Sequence, residues 1–168
     1  MFKNLKYVVG LSVLFILFST SLVFAEEETT LLPEGQAVSI SIDSADPRGM
    51  LIASRVARIT NNEDGTLSVS GQIIAHEILD YAYICLYLDR YDEDHDEWIN
   101  LSFKEAEFTL EEMGEEFMGF PLASYTLTGP DVEPGYYYRV RGTYLAKKEG
   151  RRESGNAETN GVLLTDVK

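Results

Sequence analysis

The run Pro134-Gly135-Tyr136-Tyr137-Tyr138-Arg139-Val140-Arg141-Gly142-Thr143-Tyr144 combines a turn signal with a long strand. Proline followed by glycine favours a turn, because proline fixes φ and glycine takes positive φ at little cost. The tyrosine, valine and threonine that follow are residues enriched in β-strands. We therefore predict a turn at Pro134-Gly135 and a strand from Tyr136 to Ala146.

The two faces of this strand differ in chemistry. Successive side chains in a strand point to opposite sides of the sheet, so residues two apart share a face. Tyr136, Tyr138 and Val140 form the more apolar set, and we expect them to face the core. The outer face then carries Tyr137, Arg139 and Arg141.

Short alternating runs separated by turn signals recur along the rest of the chain. Asp64-Gly65 between two such runs indicates a hairpin, because aspartate and glycine favour tight hairpin turns. Gly150 and Gly155 mark the last hairpin. The predicted strands are 38–42, 51–60, 67–70, 81–91, 97–103, 122–128, 136–146 and 157–165. This spacing predicts an all-β fold, an antiparallel β-sandwich.

Residues 103–118 are the one segment in which a helix competes with a strand. Apolar residues step by three and four from Phe103 to Phe117, and Thr109-Leu110-Glu111-Glu112 has the form of a helix capping box. The pattern leaves both open: a continued strand, or one short helix near 109–118.

The segment 125–141 resembles the E strand, corner and F strand of fibronectin type III domains, which belong to the wider immunoglobulin-like class. The resemblance lies in an apolar residue, Val132, that precedes the Pro134-Gly135 turn and a strand tyrosine, Tyr138. It implies that Val132 is a buried plug and that the Tyr138 hydroxyl bonds to backbone near the turn. The match is poorer upstream, because the B-strand tryptophan of that family is missing and Trp98 comes later.

A second resemblance covers most of the chain beyond the first 25 residues. It rests on the runs Ile59-Thr60, Asp64-Gly65-Thr66-Leu67-Ser68-Val69-Ser70-Gly71, Leu88-Asp89-Arg90-Tyr91, Trp98, Tyr136-Tyr137-Tyr138-Arg139-Val140-Arg141-Gly142, Ala146-Lys147-Lys148-Glu149-Gly150, Glu153-Ser154 and Thr159-Asn160-Gly161. In these runs the chain is similar to a family of small secreted proteins of Firmicutes that is known as a domain of unknown function. The similarity implies export and a bacterial source, and it supplies no activity to carry over.

The first 25 residues have the three parts of a secretory signal peptide. Two lysines form a basic head, an apolar run covers 7–24, and Ala25 precedes three glutamates. We predict cleavage after Ala25 and a secreted, extracellular protein. The alternative is an uncleaved membrane anchor, since about 18 apolar residues nearly span a bilayer. Residues 26–36 are then an acidic, flexible leader, and 37–168 form a single domain.

The chain is strongly acidic: 28 aspartates and glutamates stand against 14 lysines and arginines, for a formal net charge of -14. Affinity for phosphate backbones comes mainly from lysine and arginine, so nucleic acid is not an expected partner. The single cysteine, Cys85, cannot form an internal disulfide, and burial must therefore provide the stability. In an apolar strand we interpret Cys85 as a small buried hydrophobic residue.

Asp92, Asp94 and Asp96 alternate like the first ligands of a calcium-binding EF-hand loop. The rest of the loop does not fit, because Glu97 stands where the loop needs glycine and Phe103 stands where it needs glutamate. We interpret this stretch as a hairpin tip, with weak calcium binding as the alternative. No cofactor is expected.

The sequence contains no recognisable catalytic motif. It has no Gly-x-Ser-x-Gly elbow and no His-Glu-x-x-His helix. This favours a protein without enzymatic activity. The alternative is a small extracellular glycan hydrolase that uses two carboxylates within 92–116.

The outer face of the tyrosine-arginine strand is the main candidate for function. Its predicted neighbour, strand 81–91, adds tyrosines, and the hairpin loop that follows is basic. Tyrosine and arginine supply large contact areas and hydrogen bonds and are enriched in recognition sites. The candidate binding residues are Tyr83, Tyr87, Tyr137, Arg139, Arg141, Lys147, Lys148, Arg151 and Arg152. We predict a secreted, non-enzymatic binding or accessory module for a protein or an anionic cell-envelope polymer; the alternative is cross-strand pairing that only covers the sheet.

Overall fold

The computed structural model describes residues 30–44 and 51–166, and nine strands and two helical turns make up this part of the chain. The strands are β1 (Val38–Ser44), β2 (Ile52–Asn61), β3 (Leu67–Ala75), β4 (Tyr81–Asp92), β5 (Glu97–Thr109), β6 (Leu122–Leu127), β7 (Tyr137–Lys148), β8 (Arg151–Glu158) and β9 (Val162–Leu163). The helical turns are α1 (Leu110–Met113) and α2 (Glu115–Met118). No helix within these residues has the length and apolarity to cross a bilayer. The predicted signal peptide, 1–25, lies outside the described residues.

The strands form two antiparallel sheets that pack against each other. Sheet I has the order β1-β2-β3-β6, and sheet II has the order β5-β4-β7-β8, with β9 paired to β7. Hairpins connect β2 to β3, β4 to β5 and β7 to β8, and the first of them turns at Asp64-Gly65 as predicted. The prediction of an all-β antiparallel sandwich is confirmed. Its assignment to the fibronectin type III or immunoglobulin-like class stays a prediction.

The core lies between the two sheets and is built from the side chains that point inward from each strand. Ile59 and Val69 of sheet I belong to the same buried cluster as Ile84 and Val140 of sheet II. Burying a side chain of this size stabilises the fold by about 1.5–3 kcal/mol. β4 lies between β5 and β7, and even Cys85 on its outward side is buried.

The turn before β7 has the two features that the fibronectin resemblance implied. Val132 is buried, and the Tyr138 hydroxyl accepts the Glu133 N–H at 2.8 Å and donates to the Glu133 carbonyl at 3.0 Å. The prediction that Tyr136 faces the core is wrong, because β7 begins at Tyr137 and Tyr136 precedes the strand. Tyr136 is 42% exposed, and the Arg90 guanidinium lies 4.5 Å from its ring centroid.

Both of the alternatives for 103–118 occur, one after the other. β5 continues to Thr109, and α1 and α2 follow. The Thr109 hydroxyl accepts the Glu112 N–H at 3.3 Å and donates to the Glu112 carboxylate at 2.9 Å, as a capping residue does. The predicted helix is therefore present as two single turns, separated by Gly114 at a φ of 79°.

The predicted strand over 157–165 is wrong. β8 begins earlier, at Arg151, and only the two residues of β9 pair beyond it. The hairpin turn lies at Glu149 and Gly150, both at positive φ. Gly155 lies inside β8 against the guanidinium of Arg55, so glycine is needed there for close approach and not for a turn.

Part of the predicted flexible leader is packed. The Leu32 N–H donates to the Gly161 carbonyl at 2.9 Å, and the Gly161 N–H donates to the Thr30 carbonyl at 3.0 Å. The Leu32 side chain packs against the core. Within 30–36 the prediction is therefore wrong, because two leucines in this stretch provide apolar surface that the end of the sandwich buries.

Candidate binding face

The outward side chains of β4 and β7 form one surface, because the two strands are neighbours in sheet II as predicted. Tyr87 lies opposite Arg141, and Asp89 opposite Arg139. β5 extends the surface on the other side of β4, where Phe103 lies opposite Tyr87. We call this surface the tyrosine face; its members are Trp98, Phe103, Glu105, Glu107, Tyr81, Tyr83, Tyr87, Asp89, Tyr137, Arg139, Arg141 and Lys147.

Asp89 lies at the centre of a charge network on this face. Its side chain is 1% exposed and accepts from Arg139 Nε at 3.0 Å, from Arg141 Nη2 at 2.9 Å and from Asn100 Nδ2 at 3.0 Å. Burial raises the pKa of Asp89, but the hydrogen bonds from Arg141, Asn100 and Arg139 outweigh it and hold the pKa below its ordinary value of 3.8. Asp89 is therefore an ionised carboxylate between two guanidinium groups.

The two guanidinium groups also lie over aromatic rings. The Arg139 guanidinium carbon is 4.5 Å from the Trp98 ring centroid, and that of Arg141 is 5.3 Å from the Tyr87 ring centroid. Glu158 gives Arg139 a second anionic partner. Each arginine thus lies between a carboxylate and an aromatic ring, and its charge is attracted to both.

This network changes the role of the two predicted contact arginines. Arg139 and Arg141 face outward as expected, but Asp89 and Glu158 compensate their charges. Replacing both arginines would leave the Asp89 carboxylate buried without a cation, which is costly. The geometry therefore makes them supports for Tyr87 and Trp98, and a double alanine variant would disturb the fold together with the surface.

The basic hairpin between β7 and β8 is also partly neutralised. Lys148 pairs with Asp80 at 3.0 Å, and Arg151 pairs with Glu77 at 2.9 Å. Within the part of the chain that the structure describes, the predicted loop residues that are exposed and outside any ion pair are Lys147 and Arg152. The loop carries less uncompensated positive charge than its composition indicates.

The β5 side of the tyrosine face is aromatic and acidic. Phe103 is 55% exposed, and its ring centroid is 6.0 Å from that of Tyr87. The Tyr83 hydroxyl donates to the Glu105 carboxylate, and this bond raises the pKa of Tyr83. We call the set formed by Phe103, Tyr83, Tyr87, Glu105 and Glu107 the aromatic half of the face.

The three candidate calcium ligands do not converge on one point. They lie at the tip of the β4–β5 hairpin, as interpreted from the sequence. Asp92 accepts the Asp94 N–H at 3.1 Å, and Asp96 accepts the Tyr91 hydroxyl. Within 30–44 and 51–166 no group of three or more histidine, cysteine, aspartate or glutamate side chains could hold a metal ion.

His95 at this tip has a testable ionisation. Its Nδ1 lies 2.9 Å from the Asp92 carboxylate, and this bond raises the pKa of His95 above 6.5. We expect Asp92→Asn to bring the His95 pKa back towards 6.5, as measured by an NMR titration of the ring protons. An equally high His95 pKa in the variant would show that Asp92 is not the cause.

The carboxylates proposed for glycan hydrolysis lie at three separate places. Those of 92–97 are at the hairpin tip, Glu105 and Glu107 lie two apart on β5, and the glutamates of α1 and α2 are exposed to solvent. A hydrolytic pair needs two carboxylates that flank one glycosidic bond. No specific pair stands out in this arrangement.

No protein-family model matches the chain, and no curated protein matches it significantly. The similarity to small secreted proteins of Firmicutes therefore stays a prediction. What the fold and the surface define is a class: an acidic β-sandwich with an aromatic outer face whose arginines are neutralised by carboxylates.

Proposed function

We propose that the protein is a secreted, non-enzymatic binding or accessory module that holds a protein partner on the aromatic half of the tyrosine face. The observation that carries this proposal is the exposure of Phe103, at 55%, directly beside Tyr87. Exposed aromatic side chains grouped on one surface are typical of interaction sites.

The rigidity of the face supports the same proposal. Tyr87 lies under the Arg141 guanidinium, which Asp89 holds in place, so the ring has little freedom to lose on binding. A pre-organised surface loses less conformational entropy in a complex. Arg139 and Arg141 then act as positioning residues, and Phe103, Tyr83 and Tyr87 make the contact.

The charges favour a protein over an anionic envelope polymer. Arg139 and Arg141 are compensated, and Glu105 and Glu107 add negative charge to the aromatic half. The chain as a whole carries a formal charge of -14. A partner that presents apolar and basic side chains is complementary to such a surface, whereas a polyanion is repelled.

The test compares how strongly two single variants of the protein are retained on the cell surface, and on the secreted proteins, of the organism that produces it. Phe103→Ser removes the exposed ring from the aromatic half, and we expect roughly tenfold weaker retention, the loss typical of one aromatic anchor. The matched control is Phe120→Ser, because Phe120 is 56% exposed but lies between α2 and β6. Both variants should melt like the parent.

Equal retention of Phe103→Ser and the parent would contradict this contact surface. Capture by purified envelope polymer alone, released by moderate salt, would favour the anionic-polymer alternative instead. Turnover of any member of a glycan panel would contradict the non-enzymatic part of the proposal.

A further inference from the structure

β1, an edge strand of sheet I, turns its apolar side to solvent. Its inward side is polar: Asp43 pairs with Arg55 at 3.2 Å, and the Ser39 hydroxyl accepts the Asn160 N–H at 2.9 Å. These partners hold the polar side inward and leave the β-branched side chains outside. The exposed fractions are 39% for Val38, 52% for Ile40 and 64% for Ile42.

The backbone of the same residues points away from the sheet. The Asn61 N–H donates to the Ala37 carbonyl at 2.7 Å, so by the antiparallel alternation Ser39 and Ser41 bond to β2. The intervening residues, Val38, Ile40 and Ile42, direct their N–H and C=O groups to the free edge. Among the described strands none pairs with this edge of β1. Such an edge can accept another strand.

The five residues 38–42 of this edge lack two of the features by which natural proteins prevent strand addition. These features are lysine side chains and proline on the edge strand. Val38–Ser44 has no lysine or proline, and its one charged residue, Asp43, is paired with Arg55. In a chain with a formal charge of -14, two copies can meet along this strip without bringing unpaired like charges together.

The sequence of the strip is also self-complementary. Val38-Ser39-Ile40-Ser41-Ile42 has the same apolar and polar pattern in both chain directions. About a two-fold axis between antiparallel strands each position meets its mirror position in the other copy, so this pattern places apolar residues opposite apolar ones and serine opposite serine. A second copy of the chain therefore fits this edge better than a partner of unrelated sequence.

We propose that β1 pairs antiparallel with β1 of a second copy of this chain, about a two-fold axis at Ile40. Ile40 then lies opposite the partner's Ile40, and Val38 opposite the partner's Ile42. These residues carry the free backbone groups, so the pairing forms a hydrogen-bonded ladder. It also covers the exposed β-branched side chains with cross-strand neighbours. The two copies of sheet I become one continuous sheet.

The test is sedimentation velocity over a concentration series, on the protein as its host produces it. The parent is expected to reach twice the monomer mass at high concentration. Ile40→Lys is expected to stay monomeric, because the two-fold axis would place the lysine of one copy directly opposite the lysine of the other, and the two positive charges repel. Ile40 is half exposed, so the variant should fold, which its melting temperature checks. Phe120→Lys, at a site of similar exposure, is expected to dimerise like the parent.

Salt separates this interface from an ionic one. Added salt is expected to strengthen the dimer, because it screens the repulsion between two acidic copies. A parent that stays monomeric at every concentration would overturn the proposal, as would a dimer that Ile40→Lys leaves intact or that salt dissociates. Loss of the dimer in Phe103→Lys but not in Ile40→Lys would place self-association on the tyrosine face and would also overturn it.

Discussion

Replacing Asp89 with alanine is expected to lower the free energy of unfolding by about 3 kcal/mol, the lower end of the range for removing one partner of a buried ion pair. The substitution leaves the guanidinium groups of Arg139 and Arg141 side by side without their shared anion. Arg139 keeps Glu158, and Arg141 is 39% exposed, which limits the loss. Urea unfolding followed by the fluorescence of Trp98, the one tryptophan, measures the effect.

A matched control uses the second carboxylate on the same arginine. Glu158 also pairs with Arg139, but its side chain is 39% exposed. Exposed ion pairs contribute little, so Glu158→Gln is expected to cost less than about 1 kcal/mol. A cost as large as that of Asp89→Ala would show that burial of the carboxylate is not the source of the effect.

The contribution of Asp89 to the free energy of unfolding should fall towards low pH. Its folded-state pKa lies below the ordinary 3.8, so the stabilisation is present above that value and is lost as pH falls through the folded-state pKa. The difference in unfolding free energy between the parent and Asp89→Asn should therefore be constant from neutral pH to about pH 4 and shrink below it. A difference that shrinks well above that pH would contradict this assignment.

β7 shows how far alternation along a strand carries a prediction. The outward placement of Arg139 and Arg141, and their proximity to Tyr87, follow from a period of two and an apolar neighbouring strand. The role of the arginines does not follow, because it depends on the register between two distant strands. Asp89 directly after the apolar and tyrosine run 81–88 was the available signal, since a buried carboxylate needs a cation.

β1 shows where the same reasoning stops. The alternation of Val38–Ile42 predicts a strand, but not which side faces the core. The inward side is decided by distant polar partners, above all Arg55, which is 7% exposed between the sheets. An arginine in an alternating strand is ordinarily expected to face water. The leader was misjudged for a related reason, because its pairing partner, Gly161, lies at the other end of the chain.

Replacing Gly142 with alanine is expected to cost about 3 kcal/mol, the sum of overpacking and a lost buried hydrogen bond. Tyr144 spans the core: its hydroxyl donates to the Val56 carbonyl of sheet I at 2.7 Å, and its ring lies over Gly142. A Cβ on Gly142 would lie 2.6 Å from the ring carbons Cε2 and Cζ. Gly71 leaves room for the Tyr144 hydroxyl, since a Cβ added at Gly71 would lie 3.2 Å from that hydroxyl. The Tyr144 ring would therefore have to move from its site in Gly142→Ala. Urea unfolding would measure the resulting loss in the free energy of unfolding.

Replacing Tyr144 tests whether its ring is what excludes a side chain at position 142. Gly119→Ala is the matched substitution, because a Cβ there would lie 3.6 Å from Ile78 Cδ1, and we expect a change within about 0.5 kcal/mol. Tyr144→Leu alone removes the hydrogen bond and leaves a cavity, so it also destabilises. Combined with Gly142→Ala it should cost less than the sum of the two single variants, by about 1 kcal/mol or more, because the shorter side chain makes room for the new methyl group. Additive costs would mean that the Tyr144 ring is not what excludes a side chain at position 142.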